Sequence, residues 1–312
     1  MMDWTDRHCR YFMRLLSPNA KLFTEMITAQ ALKFGNAEKL LQYDSTEHPV
    51  ALQLGGCDPE LMVPAAKVAA TKGYDEININ VGCPSDRVRQ GQFGACLMSK
   101  PNLVANCVES IRSAVNIPVT IKTRIGIDDN DNYAFLRTFV QANISAGCST
   151  FIVHARKAIL QGLSPKENRT IPPLMYERVY TLKKEFPDLE IIINGGIKTI
   201  EQCRQHLEIV DGVMIGRQAY RNPWLLTELE ANFGQPDWRP NRLEIVEKMV
   251  PYIERNLNTG ALLKHMVRPM LGLFSGQPGA RAWRRSLSEN AYKKDAGINV
   301  LYEALGKLSA VA

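Results

Sequence analysis

The sequence predicts an α/β protein: a (β/α)₈ TIM barrel whose first strand is truncated, followed by a small all-helical domain. Short apolar runs rich in β-branched residues recur along the chain, and amphipathic, helix-like segments separate most of them. The runs are apolar along nearly their whole length, as in parallel strands covered on both faces. Beyond about residue 235 the strand pattern stops and only helix-like segments follow. We therefore predict a barrel domain over residues 1–234 and a helical domain over residues 235–312.

Seven strands are predicted, and helices separate most of them. The strands cover residues 22–27, 50–54, 76–81, 119–124, 150–154, 191–194 and 212–215. The intervening helices cover residues 59–72, 103–115, 133–146, 175–185 and 199–207. Pro64 lies inside the first of these helices, and because proline disrupts a helix interior we expect that helix to begin near Val63.

A closed eight-stranded barrel needs one strand more than this pattern supplies. The chain opens with Met1-Met2-Asp3-Trp4 directly before a predicted helix over residues 6–16, so we expect the missing strand to precede Met1. After a linker at residues 234–237, further helices are expected over residues 241–256, 260–274, 279–292 and 299–308.

The composition indicates a soluble protein without structural metal or disulfides. The chain has 312 residues, of which 45% are hydrophobic, enough to bury a large core unaided. Its seven cysteines form no CxxC pair, which is typical of a reducing compartment. Asp128, Asp129 and Asp131 lack the glycine and the closing glutamate of a calcium loop. No membrane-spanning run or leader is visible, so we expect a cytoplasmic monomer that binds neither membranes nor metal.

Polar residues stand at the carboxyl ends of six predicted strands, where barrel enzymes place their reactive groups. A polar side chain on an apolar strand is costly to bury without a partner. The shared location of these residues therefore predicts a common ligand. The residues are Gln53, Asn80 with Cys83, Lys122 with Arg124, His154, Asn194-Gly195-Gly196 and Gly216-Arg217.

Two glycine motifs indicate that this ligand carries a phosphate. Asn194-Gly195-Gly196 and Gly216-Arg217 follow the strands that would be seventh and eighth in a complete barrel, where phosphate sites recur. Glycine lets backbone N–H groups approach a small group closely. Lys122, Gln53 and His154 would then face the ring system of the ligand and stabilise added electron density, an arrangement that suits FMN.

Cys83 stands in a Gly-Cys-Pro turn at a strand end, where a thiol has no packing role. Gly82 permits a tight turn and Pro84 stiffens it, so the thiol is expected over the barrel mouth. Facing a cofactor, it would serve either as a nucleophile or as a proton donor.

Basic residues are concentrated in the predicted helical domain. Residues 264–294 hold seven Lys and Arg residues and one acidic residue, Glu289. The net charge of this segment, +6, equals that of the whole chain. Arg281, Arg284 and Arg285 are expected side by side on one helix face with no acid nearby, and Trp283 is expected to pack inward. A row of like charges destabilises a helix, which favours a phosphate-binding role for the row.

A series of ordered motifs resembles the tRNA-dihydrouridine synthases. They are INVGCPS, VTIKTRIG, IVHARKA, INGGI and IGRQAY. Three further stretches, DWTDRHCRYFMRLL, GLSPKENRTIPPL and GQPGARAWRRSLSENA, are similar to the A subfamily, which acts on uridines 20 and 20a of the tRNA D-loop. The resemblance implies an FMN barrel followed by a helical tRNA-binding domain. Family members carry an apolar strand ending in Ala-Pro before the Met-Met-Asp equivalent, which this sequence lacks.

The resemblance also implies a role for each matching residue. Cys83 is the general acid, and Asn80 lies beside the target base. Contacts with tRNA fall on Lys166, Arg169, Arg281, Arg284 and Arg285. The residues that hold FMN are Met1, Met2, Gln53, Lys122, His154, Asn194, Gly195, Gly196, Gly216 and Arg217.

The implied reaction has two halves. NADPH reduces FMN, and the target uridine is then extruded from the tRNA because its C5–C6 edge is inaccessible while stacked. Flavin N5 delivers hydride to C6 and Cys83, which must be protonated, delivers a proton to C5, giving 5,6-dihydrouridine.

Two other functions stay open. An FMN barrel that reduces a small molecule, as dihydroorotate oxidoreductases do, would share the flavin residues and the cysteine but has no use for a basic helical domain. A non-catalytic tRNA-binding module that keeps flavin for structure alone would tolerate loss of Cys83. Turnover of tRNA should weaken steeply with ionic strength, whereas turnover of a small neutral molecule would scarcely change, which tests the first alternative. Replacement of Cys83 would leave the function of a non-catalytic module unchanged, which tests the second.

Overall fold

A computed structural model describes residues 1–85, 88 and 90–309. Its centre is a seven-stranded sheet whose strands lie in chain order. The neighbours from the second strand to the seventh pair in parallel, so the sheet is of the TIM-barrel type that the sequence predicts. The strands are β1 Leu22–Thr28, β2 Val50–Gly55, β3 Glu76–Val81, β4 Val119–Arg124, β5 Thr150–His154, β6 Glu190–Asn194 and β7 Gly212–Met214.

The two edge strands of the described sheet are less buried than its middle. All residues of β2 and β3 are buried, whereas β7 is half-exposed throughout and β1 is half-exposed over most of its length. The central strands are buried on both faces although β3 and β4 also carry polar residues, as expected where helices pack on a parallel sheet.

Helices follow most of the strands, as predicted, and several short ones were not predicted. In chain order they are α1 Arg7–Leu16, α2 Ala29–Phe34, α3 Ala37–Leu40, α4 Pro59–Thr71, α5 Pro101–Arg112, α6 Tyr133–Ser145, α7 Tyr176–Glu185, α8 Ile200–Leu207, α9 Arg217–Arg221, α10 Trp224–Phe233, α11 Arg242–Asn258, α12 Leu263–Val267, α13 Ala280–Asn290 and α14 Asn299–Ser309. None of the described helices combines the length and the apolarity needed to cross a bilayer.

The expectation that α4 begins near Val63 is wrong, because the helix runs from Pro59 through Pro64. The Asp58 side chain accepts a hydrogen bond from the Glu60 N–H, and Pro59 occupies the first helical position, where its missing N–H costs nothing. This strong start outweighs the single backbone hydrogen bond that Pro64 cannot donate.

The chain divides into two compact units, each described by itself. The barrel unit comprises residues 23–42 and 48–215, and the helical unit comprises residues 1–22, 43–47 and 216–312. Within the helical unit, a buried ion pair joins Arg10 Nε to Glu47 Oε2 at 2.6 Å, which explains why residues 43–47 belong with α1. The predicted boundary near residue 235 concerns domains of different function, and it stays a prediction.

The helical unit has its own core around Trp283, which is fully buried as predicted. The Trp283 indole N–H donates to the Met270 carbonyl at 3.1 Å. The single helix expected over residues 260–274 is wrong: α12 ends at Val267 and a 3₁₀ turn, Arg268–Gly272, follows. Pro269 lacks the N–H that would continue the α-helical hydrogen bonds. At the end of the 3₁₀ turn, Gly272 packs so closely that a Cβ there would lie 2.2 Å from the Arg221 carbonyl oxygen.

Candidate active site

The register of the sheet brings the predicted strand-end residues of the barrel unit into neighbouring positions. Asn80 pairs with Lys122, and His154 pairs with Arg124 on one side and with Asn194 on the other. Because the carboxyl ends of parallel strands meet at one edge of a sheet, these side chains share one site.

Lys122 places a positive charge in this site. Its ammonium donates to Asn194 Oδ1 at 3.2 Å, and Asn194 Nδ2 donates to the Met214 carbonyl at 2.7 Å, which fixes the orientation of the amide. Lys122 as a whole has intermediate exposure, but its ammonium is enclosed. Burial and the nearby charge of Arg124 lower the pKa of Lys122 to about 8, and the Cys83 thiol opposes this shift.

His154 presents an unsatisfied polar atom to the site. Its Nδ1 is buried, and no described residue hydrogen-bonds to it. Burial, together with the charges of Arg124, Lys122 and Arg156, lowers the pKa of His154 well below its usual value, so the ring is neutral near pH 7. A buried nitrogen without a partner is costly in a native site unless a ligand supplies the hydrogen bond.

The two glycines after Asn194 are required by their geometry. Gly195 and Gly196 have φ values of +119° and +75°, which side chains rarely adopt. A Cβ on Gly196 would lie 2.5 Å from Leu174 Cδ1, and one on Gly195 would lie 3.2 Å from His154 Nε2. The backbone at Gly195 is held by Tyr176, whose hydroxyl donates to the Gly195 carbonyl at 2.6 Å. Glycine here keeps the space beside His154 open.

The turn that carries Cys83 is anchored on three sides. Asn80 Oδ1 accepts hydrogen bonds from the Gly82 N–H at 3.1 Å and from the Cys83 N–H at 3.0 Å. Arg124 Nε donates to the Gly82 carbonyl at 2.9 Å. The Ala95 N–H donates to the Cys83 carbonyl at 2.9 Å. The thiol is half-exposed and lies 3.5 Å from Ser85 Oγ, so it is held in place while open to a substrate.

Arg124 is a site residue whose role the sequence did not show. It is 4% exposed, and its Nη1 donates to the carbonyls of Lys157 and Asn168, each at 3.0 Å. Burial and the charges of Arg169 and Arg156 lower the pKa of Arg124 to about 10, while the Cys83 thiol raises it. One guanidinium thus holds both the Cys83 turn and the loop after β5.

Asn168 organises that loop and was not among the predicted site residues. Its side chain is fully buried, donates to the Ile159 carbonyl at 2.8 Å and accepts from the Ile159 N–H at 2.7 Å. These bonds close the segment from residue 159 to residue 168. An asparagine between two charged residues carries no signal in the sequence that would reveal such partners.

The predicted tRNA-contacting residues of the barrel unit differ in position. Lys166 is exposed, and Arg169 is half-buried. Burial lowers the pKa of Arg169 and the Cys83 thiol opposes the shift, so this guanidinium lies within electrostatic reach of the thiol. Asn80 is only 7% exposed, and its hydrogen bonds serve the Cys83 turn. Its contact with a base stays a prediction.

The remaining predicted site residues belong to the helical unit. Met2 is 53% exposed, and Met1 Sδ lies 3.5 Å from the position of a Cβ on Gly216. Gly216 directly precedes α9, which begins at Arg217 and has five residues. The part of these four residues in FMN binding stays a prediction.

The arginine row of α13 is exposed, as expected for Arg281, Arg284 and Arg285. The expectation that no acid lies nearby is wrong, because Arg285 Nε pairs with Glu289 Oε1 at 2.8 Å. The two residues are four apart and therefore neighbours on the helix surface. Arg281 and Arg284 form the less neutralised part of the row.

Among the described residues, no group of three or more His, Cys, Asp or Glu side chains is placed to hold a metal ion. The site has instead a partly buried lysine, the buried Arg124, a neutral histidine and a half-exposed thiol. A parallel α/β barrel with these groups at its strand ends defines an enzyme that binds an electron-rich or anionic ligand there.

Comparison with known proteins narrows this class. The solved 2.1 Å structure of histamine dehydrogenase from Rhizobium sp. 4-9 matches with a TM-score of 0.55 at 13% identity, covering 77% of this chain and 45% of that one. This likeness supports the barrel fold alone. The family model for dihydrouridine synthase matches residues 1–309, and the chain belongs to this family of oxidoreductases.

Relatives in two bacteria are similar over nearly their whole length. One from Vibrio vulnificus (strain CMCP6) is 57% identical over 99% of this chain and 95% of its own. One from Escherichia coli (strain K12) is 58% identical over 98% of this chain and 89% of its own. Both are named tRNA-dihydrouridine(20/20a) synthase. The family resemblance of the sequence motifs is confirmed.

Proposed function

We propose that this protein reduces the C5–C6 double bond of uridines 20 and 20a in tRNA to 5,6-dihydrouridine, with FMN as cofactor and NADPH as reductant. The observation that carries the proposal is the Cys83 turn, which is anchored by Asn80, Arg124 and the Ala95 N–H and leaves the thiol half-exposed among cations. The names of the similar proteins support the choice of substrate.

The residues of the barrel unit fit FMN. The unpartnered His154 Nδ1, the enclosed Lys122 ammonium and the open backbone at Gly195 and Gly196 offer a hydrogen bond, a positive charge and space for close approach. Gln53 lies in β2, paired with Asn78 of the neighbouring strand β3. When bound, FMN supplies the hydride that is added to C6 of the uracil ring.

Cys83 supplies the proton at the other carbon. As the new C5–H bond forms, the S–H bond breaks and leaves a thiolate. The cations of Lys122, Arg124 and Arg169 lie within electrostatic reach of Cys83 and favour negative charge there. Because the thiol is half-exposed, solvent restores its proton after each turnover. The uridine must leave its stack to place C5 beside the sulfur.

The substrate is tested by mapping dihydrouridine in tRNA from a strain that lacks its own D-loop synthase and carries this gene. We expect modification at positions 20 and 20a with the wild-type gene and none with the Cys83→Ala variant, which still binds FMN and tRNA. Unmodified uridine at both positions with the wild-type gene, while the purified protein reduces a small molecule such as orotate, would contradict the proposal and favour the small-molecule alternative.

A further inference from the structure

Strand β3 carries three polar side chains on one face. Glu76, Asn78 and Asn80 alternate with apolar residues, and because side chains of a strand alternate between its faces the three point to the same side. They are 2%, 0% and 7% exposed. Buried carboxyl and amide groups require partners, and here the partners form a single chain of hydrogen bonds.

The chain connects the carboxyl group of Glu76 to the Cys83 turn. Thr120 Oγ1 donates to Glu76 Oε1 at 2.5 Å, and Asn78 Nδ2 donates to Thr120 Oγ1 at 2.8 Å. Gln53 Nε2 donates to Asn78 Oδ1 at 2.8 Å, and Asn80 Nδ2 donates to Gln53 Oε1 at 2.7 Å. Asn80 Oδ1 then accepts from the N–H groups of Gly82 and Cys83. We call this chain the β3 relay.

The β3 relay has one direction, which both of its ends impose. The backbone N–H groups of the turn can only donate, and at the other end Glu76 Oε1 accepts from Thr120 Oγ1. Between these ends each amide uses its oxygen toward the turn and its nitrogen toward Glu76. Reversing the amide of Gln53 or Asn80 alone would place two donors together at one contact and two acceptors at the other. Reversing Asn78 would place its nitrogen against Gln53 Nε2, so the orientation of each amide depends on the others.

We propose that the β3 relay sets the position of the Cys83 thiol and the orientation of the Gln53 amide, with Thr120 and Asn78 as positioning residues. The proposal rests on the proposed function, because it assigns the relay a purpose in proton donation by Cys83. Neither Thr120 nor Asn78 lies at a strand end: they act through Gln53 and Asn80.

Loss of the Thr120 hydroxyl disconnects the relay from Glu76, one of the two ends that impose its direction. In a Thr120→Val variant Asn78 Nδ2 loses its acceptor, and the amides of Gln53 and Asn80 are held in their orientation from the turn end alone. An inverted Asn80 would point its NH₂ group at the two backbone N–H groups and push the turn away. A displacement of the thiol by about 1 Å can slow a reaction by about 10²-fold.

The experiment compares Thr120→Val with Thr120→Ser, which keeps the hydroxyl, and with Thr150→Val as a matched control. Thr150 Oγ1 donates to Glu190 Oε2 at 2.8 Å between β5 and β6, so the control removes a hydrogen bond of the same kind from another part of the sheet. For each variant two quantities are measured: the alkylation rate of Cys83 by iodoacetamide without cofactor, followed by peptide mass spectrometry, and kcat and KM for tRNA.

We expect Thr120→Val to alkylate Cys83 about 3-fold faster or more and to lose about 10- to 100-fold in kcat, with KM changed less than about 3-fold. Thr120→Ser and Thr150→Val should stay within about 3-fold of wild type in both measurements. Should Thr120→Val fold poorly, Asn78→Asp replaces it, because its carboxylate accepts from Gln53 but cannot donate to Thr120.

Wild-type alkylation rates and kcat values in Thr120→Val, or in Asn78→Asp where it replaces that variant, would overturn the proposal. An equal loss of kcat in Thr150→Val would overturn it as well. Failure of the proposed function is recognised separately. Full activity of Cys83→Ala would refute proton donation, whereas the alkylation rate still reports whether the relay holds the turn.

Discussion

Lys122 is the residue whose ionisation dominates the site. Its pKa of about 8 reflects burial and the proximity of Arg124, so the free protein pays to keep this ammonium charged at neutral pH. An anionic ligand at the site would relieve that cost. The neutral His154 lies beside Arg124, and a bound ligand would also supply the hydrogen bond that the buried His154 Nδ1 lacks.

The stability of the cofactor-free protein should therefore depend on pH through Lys122. The pKa is lower in the folded state, about 8, than in the unfolded chain, about 10.4, so the unfolded chain binds more protons between these values. The free energy of unfolding should consequently rise with pH from about 8 to about 10.5 by about 1–3 kcal/mol from this residue. Urea unfolding of wild type and Lys122→Met across this window isolates the contribution.

In Lys122→Met that part of the rise should be missing, and the variant should be the more stable protein near pH 7. Parallel stability curves for the two proteins over pH 8–10.5 would show that the ammonium is not enclosed.

Some site residues could be predicted from the sequence and others could not, because only some of them stand out as polar groups in an apolar strand. Cys83, Lys122, His154 and Asn194 interrupt apolar strands at their ends, where a polar group is visible against its background. The partners of Asn78 depend on the register between β3 and β4, and Thr120 is 42 residues away in the chain. This strand was predicted as one of the nearly apolar runs, so the polar face that Glu76 and Asn78 form was missed.

At the scale of elements, the Cys83 turn depends on the 3₁₀ segment Gly94–Ser99 that follows it. Gly94 has φ +74°, and the next residue, Ala95, donates its N–H to the Cys83 carbonyl. A Cβ at Gly94 would lie 2.6 Å from the same carbonyl oxygen and 2.3 Å from Val88 Cγ1. The backbone of the turn would have to move to admit it.

Gly94→Ala should therefore reduce dihydrouridine formation by about 10-fold or more through displacement of the turn. Gly162→Ala is the matched control: Gly162 has φ +87°, but nothing lies within 4 Å of its Cβ position. Both variants should lose about 1–2 kcal/mol of stability from backbone strain. Equal activity of the two variants, measured on tRNA at saturating FMN, would argue against a fixed turn.

Helix boundaries show how local rules compete. Pro64 suggested a break that does not occur, because Asp58 and Pro59 start α4 strongly. Pro269 was expected inside a helix over residues 260–274, but after Val267 the chain continues as a 3₁₀ turn. The strand ranges were predicted closely, because burial on both faces leaves an apolar run that is independent of tertiary detail. The short helices α2 and α3 have too few residues to show a periodic pattern.

Across the whole molecule, the net charge of +6 bears on which partners the protein binds and not on its fold. Arg281 and Arg284 are exposed on α13, while Arg285 is partly neutralised by Glu289. If α13 binds the phosphate backbone of tRNA, each unneutralised arginine should contribute to counterion release.

The dependence of tRNA affinity on salt tests this role. Arg281→Gln and Arg284→Gln should each reduce the slope of log K against log[salt] by about 1, and Arg285→Gln by less. Lys67→Gln, an exposed lysine of α4, serves as the control and should leave the slope unchanged. Binding isotherms at several salt concentrations provide the slopes, and a slope that is the same in all four variants would exclude α13 from the tRNA interface.

The central claim is that Cys83 gives its proton to C5 of the uridine. It is tested most directly by a single turnover of FMN-reduced enzyme with unmodified tRNA, comparing wild type with Cys83→Ala at saturating tRNA. We expect a loss of about 10²-fold or more in the rate of dihydrouridine formation, the usual contribution of a general acid, with FMN and tRNA binding retained. A Cys83→Ala rate equal to that of wild type would contradict it.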